Sequence, residues 1–399
     1  MSERDSKRRW LTAPVKGIAA ASLLSDVGHE VPTSLMPRLL TSTLGAPAAA
    51  LGLIEGIADA LSGLARLAGG PIADDPERRR KVAIGGYAST AILTSLIGTA
   101  TAVWQVGVLR AAGWTARGLR TPARNALLAD SVLPSAYGRA YGFERAMDNV
   151  GAILGPLLAI GLVAVVSVRT AILISVIPGL LAVVAMAYAV AHIERAENQE
   201  HTLRLQFRAA FSYVRPLFMS IGAFEVGNVA ATLLILRATE LLNRDWTTSS
   251  ATTTALLLYV SYNVAATGAS VVGGRWLDAR SATPVLRGGF AAFGLAYALF
   301  AVTGPSVVLL GLAFVLGGVG IGFVETAEHA AVAHAAPMDL RGSSFGLLAG
   351  LQSFGNLLGS GIAGLLWTVA SPTWAFSYLV AWMVIALGSS VLRVETLRR

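Results

Sequence analysis

The stretch GGPIADDPERRRK at residues 69–81 returns in altered form as GGRWLDAR at residues 273–280. The residues that align at this offset of 204 are, pair by pair, Gly70 with Gly274, Asp74 with Asp278, Gly138 with Gly342, Gly142 with Gly346, Gly151 with Gly355 and Gly155 with Gly359. So many identities at one spacing, all at turns or small-residue positions, indicate that the chain contains two copies of one ancestral unit.

A second block repeats at an offset of 199 residues. Residues 26–29 (Asp-Val-Gly-His) resemble residues 225–228 (Glu-Val-Gly-Asn). The change of offset implies about five extra residues in the second half between the two blocks. The loop at residues 243–250 is the natural place for them.

The composition is that of a polytopic membrane protein. Of 399 residues, 54% are hydrophobic and only 14% are charged, and the mean hydropathy is +0.63, outside the range of ordinary soluble domains. Apolar stretches long enough to cross a bilayer, roughly 20 residues each, recur about twelve times, near 17–40, 47–70, 82–103, 104–130, 138–166, 169–192, 212–242, 250–273, 284–304, 305–333, 342–370 and 373–392.

These stretches are rich in Ala, Leu and Gly and show no strand alternation, so we expect helices and not a β-barrel. The predicted fold class is an all-α polytopic membrane protein with twelve transmembrane helices in two pseudo-symmetric six-helix bundles. Polar residues near 193–208 mark the boundary between the halves. The predicted domains are residues 1–192, a cytoplasmic linker at 193–211, and residues 212–399.

The distribution of basic residues predicts the topology. A net charge of +8 could suggest nucleic acid, but the basic residues flank apolar stretches, as the positive-inside rule describes. Alternate loops and both termini carry most of them, whereas the opposite loops contribute only Arg169 and Arg244. We therefore expect both termini in the cytoplasm and no nucleic-acid partner. The chain has no cysteine, which excludes disulfides, thiolate metal sites and cysteine nucleophiles.

The repeated loop resembles the best-known motif of the major facilitator superfamily, a cytoplasmic Gly-x-x-x-Asp followed by basic residues. The resemblance covers essentially the whole chain, with twelve spans, two halves and both motif copies, although Asp75 and Pro76 depart from the usual basic residue and glycine. It implies two bundles that rock about a central site and a gating role for Gly70, Asp74, Gly274 and Asp278. The alternative for the basic run at 78–81 is that it only anchors the topology.

The fifth apolar stretch looks like the antiporter motif of exporters in that superfamily. It reads Gly151-x-x-x-Gly155-Pro156, with Ala159 where a glycine is usual. Small residues at four-residue spacing let helices approach closely. The resemblance favours export, and the alternative is simple helix packing without bearing on direction.

The fourth apolar stretch carries an arginine stripe. Arg110, Arg117, Arg120 and Arg124 follow a three-four spacing and therefore share one helix face. Because arginines facing lipid are costly, we expect them to face the protein interior. The expected partners are carboxylates on the first and fifth stretches, with Arg124 near Glu144, and with Arg117 or Arg120 near Asp148, Asp26 or Glu30.

Buried carboxylates beside arginines can load and release protons when a helix movement changes their pairing. The candidates for proton coupling are Asp26, Glu30, Asp148 and Glu144, and the charge network is completed by Arg117, Arg120 and Arg124. The alternative is a permanent network that stiffens the first half. Glu55 and Asp59 are expected to line the same cavity, or else to meet Arg66 within their own helix.

The second half differs at the matching positions. Arg124, Asn125 and Asp130 become Glu328, His329 and His334. We expect the first half to handle protons and the second to contribute more to the substrate, with Glu225, Glu325, Glu328 and His329 on the cavity wall. A metal site near His329 is the weaker alternative because the stretch has no cysteine and no tight histidine pair.

The predicted function is secondary active transport, in the form of proton-coupled export of a small organic or amphipathic molecule by alternating access. Proton-driven uptake of a metabolite, peptide or chelate, and a membrane signalling or scaffold protein without transport, are the alternatives. No nucleotide-binding loop is present, and neither an enzymatic activity, a cofactor nor a metal is expected. The expected partners are a small-molecule substrate, protons and the lipid bilayer, for a monomer in a bacterial cytoplasmic (inner) membrane.

Overall fold

The computed structural model describes residues 10–193 and 206–397. Residues 194–205 of the expected linker, and the basic residues of the first nine positions, lie outside the described residues. The described helices, in chain order, are α1 Ala13–Arg38, α2 Ala48–Asp74, α3 Pro76–Leu96, α4 Val103–Asp130, α5 Tyr137–Val163, α6 Val168–Ile174, α7 Val176–Ala191, α8 Phe207–Gly227, α9 Ala231–Leu242, α10 Thr248–Ala279, α11 Ala282–Val302, α12 Val307–Ala335, α13 Arg341–Val369 and α14 Pro372–Leu397. Within the described ranges there is no β-strand, so the all-α prediction is confirmed.

Eight segments of the described chain are long and apolar enough to cross a membrane, namely Pro76–Thr99, Pro134–Val163, Val168–Ala191, Leu217–Leu242, Ser250–Ala279, Ala282–Val302, Val307–Ala335 and Pro372–Ser390. The other four predicted spans fall on α1, α2, α4 and α13. The first three of these carry the carboxylates and arginines singled out above, and such residues lower the apolar signal of a span. The total of twelve spans therefore remains a prediction.

Large apolar side chains are exposed along these helices, as lipid contact requires. Examples are Leu53, Val108, Ile160, Leu257, Val308 and Leu365, each with more than half of its surface exposed. A soluble monomer rarely exposes so much apolar surface, so the exposed faces fit an integral membrane protein.

The chain divides into two compact units. The first consists of Met1–Ala140, Met147–Tyr213 and Val332–Gly350, and the second of Tyr141–Ala146, Val214–Ala331 and Leu351–Arg399. Each unit thus includes a short segment from the opposite half of the sequence. The core of the first unit is aliphatic, built around Val31, Leu35, Met36, Leu39 and Ile172, whereas that of the second is aromatic, with rings of Phe224, Phe290, Phe293, Phe300 and Phe376 in contact.

Equivalent helix contacts in the two units reproduce the sequence repeat. A Cβ atom on Gly118 of α4 would lie 2.5 Å from the Ser62 carbonyl oxygen of α2. At an offset of 204 residues, a Cβ atom on Gly322 of α12 would lie 2.5 Å from the Ala266 carbonyl oxygen of α10. Glycine is required at both places because any side chain would separate the helices. The α2–α4 contact also sets the position of the arginine stripe.

Candidate functional site

Arg117 of α4 joins two residues of α1. Its Nη2 donates to Oδ1 of Asp26 at 3.2 Å and its Nη1 donates to Nε2 of His29 at 2.6 Å. The Nδ1 of His29 lies 2.9 Å from the Ser25 carbonyl oxygen, so that Nδ1 carries the ring proton and Nε2 accepts. Asp26 is only 5% exposed and His29 only 2%. The arginine therefore holds a buried carboxylate and a neutral imidazole together.

The surrounding carboxylates complete this first-unit charge cluster, which comprises Asp26, His29, Glu30, Arg117, Arg120, Arg124 and Asp148. Oε1 of Glu30 lies 3.4 Å from Nε2 of His29. Asp148 of α5 brings a second negative charge close to Asp26. A second carboxylate close by favours the binding of a proton, whereas the guanidinium of Arg117 opposes it. The cluster is thus able to hold a proton beside a guanidinium.

The other two arginines of the cluster, Arg120 and Arg124, donate hydrogen bonds to hydroxyl groups of α1. Nη2 of Arg120 donates to Ser25 Oγ at 2.8 Å, and its guanidinium lies 3.5 Å above the Tyr87 ring. Nη1 of Arg124 donates to Ser22 Oγ at 3.0 Å and lies 3.7 Å from Oδ1 of Asp148. Asp148, which we expected beside Arg117 or Arg120, therefore contacts Arg124. Arg117 contacts Asp26, one of the carboxylates expected for Arg117 or Arg120.

Glu55 and Asp59 of α2 accept hydrogen bonds from side chains of α4. Arg110, which is 1% exposed, donates from Nε and Nη2 to Oε2 of Glu55 at 3.2 and 2.9 Å. Its guanidinium carbon lies 3.3 Å from the centre of the Trp114 ring, and Trp114 Nε1 donates to Oδ1 of Asp59 at 3.0 Å. The carboxylates of α2 thus extend the charge cluster along the arginine stripe.

The glycines of the antiporter-like motif on α5 pack against Asp26 and Glu30 of α1. A Cβ atom on Gly151 would lie 2.8 Å from the Cβ of Asp26, and one on Gly155 would collide with the Cβ of Glu30. Pro156 follows within α5. Movement of α5 against α1 therefore acts directly on the backbone that positions Asp26 and Glu30.

The motif loop, residues 69–81, contacts the start of α13 through hydrogen bonds to Asp74. The Asp74 carboxylate accepts hydrogen bonds from the Ser343 backbone nitrogen at 2.8 Å and from the Ser343 hydroxyl. An anionic group is favourable at a helix N-terminus. Burial raises the pKa of the Asp74 carboxyl above its ordinary value, although the hydrogen bonds from Ser343 act in the opposite direction.

Asp75, which stands where the family motif usually has a basic residue, caps a helix. The basic residue that makes a buried contact is Arg79, four positions later. Asp75 caps α3 by accepting from the backbone nitrogens of residues 77 and 78, at 2.9 and 3.1 Å. Arg79 is buried and donates to Asp130 at the end of α4. Asp130 also accepts from Nη1 of Arg341 at 2.6 Å. Arg79 is therefore more than a topology anchor.

Glycines of the two copies of the repeated motif also contact glycines of α5 and α13, which are equivalent helices of the two halves. A Cβ atom on Gly70 would lie 3.2 Å from the Cα of Gly346 in the first unit. In the second unit, a Cβ atom on Gly142 would lie 3.2 Å from the Cα of Gly274. These contacts are equivalent under the repeat. Asp278, the counterpart of Asp74, is half-buried near the end of α10.

The second unit gathers the remaining acidic candidates. Glu144 is fully buried and accepts from Nε and Nη2 of Arg145 at 2.7 and 3.0 Å. Nη1 of Arg145 lies 3.8 Å from Oε2 of Glu325, and Nδ1 of His329 lies 2.7 Å from the Glu325 carbonyl oxygen. Glu225 accepts from Asn228 at 3.2 Å. In the part of the chain that the structure describes, no group of three or more His, Asp or Glu side chains could hold a metal ion.

Sequence reasoning does not find His29 as a residue of this site. His29 stands three positions after Asp26, but no pattern reveals that its ring binds Arg117. Glu328, which the comparison of the two halves singled out as the glutamate in the place of Arg124, is completely buried.

Comparison with known proteins places the chain in a family. The model of the Major Facilitator Superfamily matches residues 18–236 and 217–397. An uncharacterised MFS-type transporter from Methanocaldococcus jannaschii is 25% identical over 382 residues, which is 95% of this chain and 94% of that protein.

Solved structures share the fold. The human organic anion transporter MFSD10 (TETRAN) superimposes with a TM-score of 0.73 at 16% identity, over 95% of this chain and 99% of that one. A bacterial homologue of the iron transporter ferroportin, in an outward-facing state, gives a TM-score of 0.72 at 17% identity, over 97% and 100% of the two chains. Helical fold, repeated motif and family match agree: the chain belongs to the Major Facilitator Superfamily of membrane transporters.

Proposed function

We propose that the protein expels a small organic or amphipathic molecule in exchange for protons by alternating access. The observation that carries the proposal is the buried Asp26 carboxyl, which lies 3.2 Å from Nη2 of Arg117 and has the negative charge of Asp148 close by. A carboxyl shared between a second carboxyl and a guanidinium can bind a proton in one arrangement and lose it in another. This is the property that exchange of a substrate for protons requires.

Export is supported by the packing of α5 on α1. The glycines of the antiporter-like motif touch the two residues that bear the coupling carboxylates, so a helix shift and a change in proton affinity are linked. In this scheme the first half, residues 1–192, handles protons. The second half, residues 212–399, contributes Glu225, Glu325 and His329 to the substrate cavity. The expected setting is a bacterial inner membrane, with a monomer whose termini are cytoplasmic.

The test uses purified protein in liposomes that contain a trapped pH-sensitive dye. A chemically diverse panel of organic molecules is first screened for compounds that raise the unfolding temperature, because a ligand of the folded state stabilises it. Each stabilising compound is then added outside the liposomes under a proton gradient. Compound-dependent proton movement that is lost in Asp26→Asn and in Glu30→Gln supports the proposal. Wild-type proton movement in both variants refutes the assignment, and absence of any solute flux favours a scaffold.

A further inference from the structure

Glu328 of α12 is a carboxyl group without a complete set of partners. Its residue surface is 0% exposed. One oxygen, Oε1, accepts a hydrogen bond from the side-chain amide of Gln352 on α13. The other oxygen, Oε2, is buried and has no hydrogen-bond partner.

The repeat shows what has changed at this position. Arg124 and Asp148 are the residues of the first half that correspond to Glu328 and Gln352. Arg124 and Asp148 form a cation–carboxylate contact at 3.7 Å. In the second half, Glu328 and Gln352 form an acid–amide pair at these positions. Gln352 is uncharged, so it is not a counterion for the Glu328 carboxylate.

The neighbouring groups do not replace that counterion. Glu225 on α8 and Glu325 on α12 both bring negative charge towards Glu328. Nδ1 of His329 lies 3.8 Å from Oε1 of Glu328, but it donates to the Glu325 carbonyl oxygen. The cation facing Glu328 is Arg145 of α5, whose guanidinium makes two hydrogen bonds to Glu144.

An ionised carboxylate in such a place would be a buried charge with an unpaired oxygen, which is far more costly than a buried neutral acid. We infer that Glu328 is a proton-binding site, with its carboxyl held neutral in this conformation by complete burial, acidic neighbours and an amide in place of a cation. The proton leaves Oε2 for water when a conformational change admits solvent to the site. A role for this proton in transport rests on the proposed exchange of substrate for protons. The binding of a proton to Glu328 does not depend on that proposal.

The test is infrared spectroscopy of the purified protein in lipid while the pH is raised from mildly acidic to alkaline. The wild type should show the C=O stretching band of a protonated carboxylic acid, and Glu328→Gln, which keeps the side-chain size, should lose one carboxyl's share of that band. Glu77→Gln is the matched control, because Glu77 is an exposed carboxylate paired with Lys81, and should keep the whole band. An unchanged band in Glu328→Gln overturns the inference.

A second variant covers the case in which Glu328→Gln does not fold. Gln352→Leu removes the hydrogen bond to Oε1 and should move the same band to higher frequency, since a C=O group that accepts no hydrogen bond vibrates faster. A band that stays in place in Gln352→Leu overturns the assignment to Glu328.

Failure of the inference and failure of the proposed function give different results. If proton exchange across liposomes depends on Asp26 while the Glu328 band is absent, the inference fails alone. If the band is present but no compound moves protons, the proposed function fails while the proton site stands.

Discussion

Arg341 and Tyr137 are equivalent residues of the two repeats, and they are hydrogen-bonded to each other, with Arg341 Nη2 donating to the Tyr137 hydroxyl at 3.0 Å. The guanidinium of Arg341 also reaches Asp130, which in turn accepts from Arg79. A single carboxylate therefore binds one arginine from each half of the sequence. Asp74 is close to these residues because it accepts a hydrogen bond from Ser343, two positions after Arg341. The motif loop is thus one part of a larger ionic network within the first unit.

Asp130→Asn should destabilise the protein, because it leaves two buried guanidinium groups without their shared carboxylate. Arg79 is 2% exposed and Arg341 is 7% exposed. Removal of one partner from a buried ion pair costs about 3–5 kcal/mol of unfolding free energy. Denaturant titration of the purified protein in mixed micelles measures the change.

The control for this variant is Glu77→Gln, which breaks an exposed pair with Lys81. Both side chains of that pair are more than 70% exposed, and exposed pairs contribute little. Equal stability of Asp130→Asn and the control would show that the network is not structural.

Asp74→Asn should weaken the contact between the motif loop and α13 and shift the population towards the inward-open state. The charge at the helix N-terminus and the hydrogen bonds to Ser343 are both reduced. A loss of about 1.4 kcal/mol raises the open population about tenfold. Because the chain has no cysteine, Ser344→Cys supplies a single reporter at a fully buried position. The rate of maleimide labelling then measures the opening.

Asp75→Asn in the same reporter background is the matched control. Asp75 caps α3 and asparagine caps helices equally well, so labelling should stay at the basal rate. If Asp74→Asn labels no faster than Asp75→Asn while both proteins insert normally, Asp74 is not a gate.

The pairings within the charge cluster predict which double variants regain stability. Arg117→Ala strands the Asp26 carboxylate, and Asp26→Asn should restore part of the lost stability. Arg124→Ala should be rescued by Asp148→Asn in the same way. Coupling energies of contacting residues are about 0.5–3 kcal/mol in double-mutant cycles, and unfolding midpoints of the four single and two double variants measure them.

A pair without a common partner serves as the control for those cycles. Arg117 contacts Asp26 and His29, whereas Asp130 contacts Arg79 and Arg341, so the effects of Arg117→Ala and Asp130→Asn should add. Rescue in this control pair, with no coupling in the two direct pairs, would contradict the observed contacts.

The sequence predicts most of the fold because burial in lipid leaves few choices. Apolar length indicates the spans, and the three-four spacing on α4 places its arginines on one interior face, where Arg117 meets Asp26. The choice of partner is harder to predict. Arg341 is distant from Asp130 in the sequence, and the contact depends on how α13 begins. The His29 tautomer depends on a backbone carbonyl, which no side-chain pattern reports.

Gly155→Ala should disturb the contact between α5 and α1. Its new Cβ would collide with the Cβ of Glu30, and this atom cannot move without its backbone. Overpacking of this kind costs about 1–3 kcal/mol. Because Glu30 belongs to the charge cluster, compound-dependent proton movement in liposomes should fall together with the unfolding temperature.

Gly161→Ala is the matched control on the same helix, because a Cβ atom there meets nothing within 4 Å. Alanine in an open helical position is favoured over glycine by about 0.5–1 kcal/mol, so this variant should be as stable as the wild type or more so, with unchanged proton movement. The difference between the two variants isolates the collision with Glu30 from the general effect of adding a methyl group to α5. If Gly155→Ala behaves like Gly161→Ala in both measurements, the close approach of α5 to α1 does not constrain transport, and the packing argument for export is lost.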